Sequence, residues 1–124
     1  MQIDAHIALA RRIETTLRKL GHADYEMQIE GAMLAGTHWL NVLLHRVGTN
    51  PPAQDVFHTY LLTINEFRRL AVAADQPIHA LAEIEDIRPP FVRGNVPGGE
   101  QAAARALELL ARLRTAALEA AVTA

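Results

Sequence analysis

Two arginines five positions apart, Arg88 and Arg93, flank the apolar "PPFV" in "EIEDIRPPFVRGNVPGGE", residues 83–100. Guanidinium groups stay protonated at any physiological pH, so this pair can hold or stabilise negative charge and cannot shuttle protons. The prolines stiffen the crossing, and the following helix entrance attracts anions generically. With Asn95, the two arginines make an expected anion- or partner-binding junction. The competing expectation is structural: Glu83, Glu85, Asp86 and Glu100 are close in sequence and can pair with the arginines.

The histidines are the other source of chemistry. His38 and His45 lie two turns apart on one face of the same helical stretch, too far to share a metal ion on a regular helix. The usual helical ligand spacings, HExxH and ExxH, do not occur, and Glu26 or Glu30 would need ligands from other helices. His38 is expected to be a hydrogen-bonded core histidine, and His45 a partly exposed helix-end residue favoured by the dipole. A buried Asn41 would fix helix register or accept a loop amide. The chain has no cysteine and no serine, which removes thiolate ligands, disulfides and two nucleophiles. It also lacks a phosphate-binding loop of the GxxxxGK[ST] or GxGxxG type. No catalytic residue, metal or cofactor is assigned on these grounds.

The elements that must carry these residues are helical. Ile3, Ile7, Ala10, Ile13, Leu17 and Leu20 recur at three- and four-residue steps, predicting an amphipathic helix stopped by Gly21. A second helix runs from Asp24 to about Val47, is apolar nearly all round, and is expected to be central, with Gly48 ending it. A third is predicted from about Pro52, with Val56, Tyr60, Ile64, Phe67 and Leu70 on its core stripe, until Asp75 and Pro77 interrupt it. A short piece, "IHALAEIEDI", leads into the arginine junction, and a last Ala/Leu helix starts at Gly99. Small residues Gly31, Ala32, Ala35 and Gly36 predict close packing inside the bundle or across a dimer. The fold class is therefore all-α, an antiparallel four- to five-helix bundle.

At 124 residues, 50% hydrophobic and 21% charged, the chain fits a single soluble domain spanning residues 1–124. The longest apolar run is too short to span a bilayer, and the first residues lack the order of a secretory signal, so no membrane association and a cytoplasmic location are expected. A net charge of −2 argues against strong sequence-independent binding to nucleic acid. Eleven arginines against one lysine, with abundant alanine, suggest a GC-rich bacterial source.

The succession of "IEGAMLAGTHWLNVLLHRVG", "EIEDIRPPFVRG" and "PGGEQAAARALELLARL" resembles bacterial HEPN (higher eukaryotes and prokaryotes nucleotide-binding) helical domains over roughly residues 23–120. The resemblance implies a ribonuclease site at a dimer interface, made by an arginine and a histidine separated by four to six residues. Arg88 matches the arginine, but Arg93 stands where the histidine would be. Since arginine cannot act as a general base, the resemblance implies a non-catalytic homodimer that binds a protein, nucleotide or RNA partner. Two alternatives stay open. One is a HEPN-class ribonuclease with a displaced histidine (His38, His45 or His79), and the other a metal-dependent bundle enzyme using Glu30, His38 and His45.

Overall fold

The computed structural model describes residues 1–122. Among these, four α-helices form an all-α bundle: α1 (Ile3–Leu17), α2 (Tyr25–Arg46), α3 (Ile64–Arg88) and α4 (Gly99–Glu119). No helix is long and apolar enough to cross a membrane.

The near-continuous apolar character of α2 has the expected consequence. It packs against each of the other three helices, while α3 and α4 also pack on one another. Trp39, Leu40 and Leu44 of α2, Leu81 and Ile84 of α3 and Leu113 of α4 are fully buried. Each such side chain contributes about 1.5–3 kcal/mol of burial free energy, which offsets the backbone ordering that a bundle requires. The small residues work inside the bundle. A Cβ on Gly31 would stand 2.4 Å from a Leu17 methyl of α1, and one on Gly36 would stand 3.1 Å from a Leu113 methyl of α4. The stripe is thus a contact surface for α1 and α4.

The ends of α2 and the entrance of α4 follow local chemistry. Gly48 adopts φ 78° just beyond α2, and Gly98 adopts φ 97° just before α4, a region that L side chains avoid. In α3, Ala74 leaves helical geometry (φ −146°, ψ 54°), so Pro77 falls in the first turn of a renewed helical segment, where its missing N–H costs nothing. The predicted interruption is therefore a kink.

Two boundaries differ from expectation. Residues 47–63 are irregular apart from a 3-10 turn at Thr59–Leu61, and α3 begins at Ile64 instead of near Pro52. The reason is a capping box. Thr63 Oγ1 accepts from the Glu66 amide at 3.1 Å, and Glu66 Oε1 accepts from the Thr63 amide at 3.3 Å. Val56 is buried as predicted, but from a loop, while Tyr60 and Ile64 are exposed instead of lining a helix core. Conversely the arginine junction is more regular than expected, because Pro89–Arg93 continues α3 as a π-helical turn and only the short 94–98 link is irregular.

Candidate functional site

Two polar constellations stand out, and both depend on the 47–63 segment. The first gathers at the start of α1, the C-terminal half of α2 and Asp55. His6 Nε2 lies 2.9 Å and His45 Nε2 2.8 Å from the same oxygen, Asp55 Oδ1. His6 Nδ1 lies 2.9 Å from His38 Nδ1, and His45 Nδ1 donates to the Asn50 carbonyl at 2.9 Å. The amine of Met1 reaches Asp55 Oδ2 at 3.0 Å. His6 and His45 are buried, whereas 14% of the Asp55 side chain is exposed.

Burial and hydrogen bonding set the protonation in this cluster. Burial lowers His6, although its hydrogen bond to Asp55 works in the opposite direction, and burial with the nearby His6 lowers His38. Burial pushes Asp55 up, but the groups gathered around it, His6, the Met1 amine and His45, outweigh burial and bring it down to about 2.

Helix periodicity explains half of this assembly. His38 and His45 share one face of α2, and His6 of α1 packs beside both, with ring centroids 5.2 and 5.4 Å away. His45 is buried, not a partly exposed helix-end residue, because the chain after Gly48 folds back over it. Reasoning from sequence passed over His6 and Asp55, which carry no spacing signal relative to α2. The alternation of His6 with the apolar Ile3, Ile7 and Ala10 face was the available hint.

The second constellation surrounds Arg88. Its guanidinium Nε donates to Glu30 Oε1 of α2 at 2.5 Å, so its acidic partner is not Glu83, Asp86 or Glu100. Glu83 is bound by Arg105 of α4. The hydrogen bond to Glu30 raises Arg88 further, and the nearby Tyr60 phenol adds to this. Tyr60 stacks on His58 with centroids 4.6 Å apart, and His58 Nδ1 lies 3.0 Å from Glu85 Oε2. Glu85 is itself buried and accepts from the Thr59 amide and hydroxyl. Arg93 and Asn95 are exposed, and neither side chain has a hydrogen-bond or ion-pair partner among the described residues.

The histidines considered from sequence are not brought to this junction. His79 precedes Arg88 by nine residues, about 13 Å along the helix axis, and its Nδ1 contacts the Asp75 carbonyl at 2.8 Å. His38 and His45 belong to the Asp55 cluster. Glu30 is committed to Arg88 and does not join them, so the set Glu30, His38 and His45 is not assembled. The histidine that does approach, His58, sits in the segment expected to be helical, and its role was hidden by that boundary.

Comparison with protein-family models, with curated proteins and with solved structures finds no match.

The protonation pattern has a sign. His6 and His38 have folded values below the ordinary 6.5, so at these two groups the unfolded chain binds more protons and their contribution to stability falls as pH drops below 6.5. Asp55 contributes on the order of 2 kcal/mol above its ordinary 3.8, lost as pH falls through that value toward about 2. Urea unfolding midpoints are expected to decrease as pH falls from 4 to 2. A midpoint that is unchanged over that range contradicts this account.

Proposed function

We propose that the chain is a HEPN-like, non-catalytic helical module that self-associates and docks a protein partner through the face around the Arg88 junction. The observation that carries this reading is the state of Arg88. Its charge is already neutralised by Glu30, which limits its use as a free anion site, while apolar side chains stand exposed around the pair. Met27 and Leu34 lie one turn to either side of Glu30 on α2, 56% and 50% exposed, and Tyr60, 62% exposed, adjoins Arg88. A hydrophobic patch that surrounds a satisfied ion pair is the composition of an interface centre, with aromatic and arginine residues enriched there. Arg93 and Asn95 supply exposed polar groups for its rim.

Light scattering on tag-free protein is expected to give a dimer mass. Leu34→Glu and Tyr60→Glu should each shift it to a monomer without loss of helical circular dichroism. A monomer at high micromolar concentration for the wild-type chain refutes self-association.

One observation favours a second reading. If Glu85 accepts a proton from His58 Nδ1, the ring's Nε2 is left basic and unpartnered, and the side chain is 26% exposed one stacked tyrosine away from Arg88. A carboxylate-oriented imidazole beside an arginine is the equipment of metal-independent phosphodiester cleavage, with His58 as the displaced histidine of a HEPN-class ribonuclease. Wild-type protein, His58→Ala and Arg88→Ala are compared on bulk RNA. This reading requires cleavage that both substitutions abolish, and equal, negligible cleavage by all three ends it.

A further inference from the structure

The Asp55 cluster contains a conflict of lone pairs that hydrogen bonds among neutral groups cannot resolve. His45 Nδ1 faces a backbone carbonyl, that of Asn50, at 2.9 Å. A carbonyl only accepts, so Nδ1 carries the proton, and in the neutral ring Nε2 presents a lone pair. That lone pair points at Asp55 Oδ1, an acceptor 2.8 Å away. Two acceptors at this distance need something positive between them. Either a second proton enters the ring or a cation is bound.

The surrounding geometry favours a metal ion. His6 Nε2 converges on the same Oδ1 at 2.9 Å, and the three donor atoms all lie within 4.8 Å of one another. Neighbouring ligands on an ion that holds nitrogen and oxygen at about 2.0–2.2 Å are separated by about 3 Å, close to the 2.9 and 2.8 Å that Asp55 Oδ1 keeps from the two rings. Both rings also have the outer support that metal-binding histidines show. His45 Nδ1–H is fixed by the Asn50 carbonyl, and His6 Nδ1 is 2.9 Å from His38 Nδ1, which can accept its proton.

The geometry points to a site for one divalent first-row transition-metal ion, bound by His6 Nε2, His45 Nε2 and Asp55 Oδ1, with His38 and the Asn50 carbonyl as orienting groups. Two imidazoles select against magnesium and calcium, which prefer oxygen, and suit zinc, cobalt or nickel. Three protein ligands leave further coordination positions for water or a small anion. Asp55 also lines a cleft of about 400 Å³ with Gln54, Phe57, Glu66 and Arg69, so one residue of the cluster borders open space. Bound there, it would join α1, α2 and the 47–63 segment at one point. The inference uses none of the Arg88 residues and stands independently of the reading given above.

The test uses full-length chain purified without a polyhistidine tag, stripped with chelator and titrated with Co²⁺, then with Zn²⁺. One Co²⁺ per chain, visible as a ligand-field band that Zn²⁺ displaces, is expected, together with a zinc-dependent rise in Tm for the wild type. Asp55→Asn and His45→Gln should lose the band and the rise in Tm, and His38→Ala should weaken binding by about 10–100-fold. If a variant fails to fold by circular dichroism, the wild-type titration decides alone. Absence of a stoichiometric band in the wild type overturns the proposal, as does equal affinity in folded Asp55→Asn.

Discussion

A long irregular segment laid over a helical bundle must find partners for backbone groups that helices normally satisfy themselves, and residues 47–63 meet that demand by borrowing side chains. Asn41 of α2 does most of it. Its Oδ1 accepts from the Val56 amide at 2.8 Å and its Nδ2 donates to the Val56 carbonyl at 2.7 Å, imitating one rung of a β-ladder. Glu85 of α3 takes the Thr59 amide, and Arg69 donates to the Thr49 carbonyl and the Asn50 side chain. No buried side-chain nitrogen or oxygen among the described residues is left without a partner. Leaving one such group unpaired costs about 1–3 kcal/mol, so these few side chains determine whether the segment lies down at all.

Both polar constellations are consequences of that placement. Asp55 reaches His6 and His45 because Val56 beside it is pinned to Asn41. Tyr60 reaches Arg88, and His58 reaches Glu85, because Thr59 between them is pinned to Glu85. On the opposite flank, buried Glu14 of α1 accepts from the Trp39 indole at 2.8 Å and from Arg114 of α4, tying three helices through one carboxylate. The helices supply the apolar enclosure, and a handful of buried polar residues specify how the parts meet. Asn41, Glu14 and Glu85 are each costly to bury alone and stabilising only as members of satisfied networks.

Helix number, the central position of α2 and the packing use of Gly31 and Gly36 were legible in the sequence, because periodicity and small-residue spacing are local signals. So was the prospect that Asn41 would hold a loop amide. The start of α3 was misplaced because Pro52 looked like a first-turn residue, whereas the "TINE" at 63–66 carried the true capping box. That one boundary concealed the irregular segment, and with it His58 and Asp55. The ion-pair partner of Arg88, Glu30, lies 58 residues away, beyond any spacing rule. The histidine cluster was only half visible for the same reason: His38 and His45 share a helix face, but His6 and Asp55 arrive by tertiary packing.

The account rests most directly on the claim that buried side chains hold residues 47–63 against α2 and α3. Hydrogen exchange measured residue by residue by NMR reads this without altering the protein. The amides of Val56 and Thr59 are expected to exchange as slowly as helical core amides such as that of Leu44, through concerted opening of the bundle. Exchange of both at the rate of an exposed loop amide such as Ala53 would show that the segment is not held, and that neither the Asp55 cluster nor the His58 approach to Arg88 persists in solution.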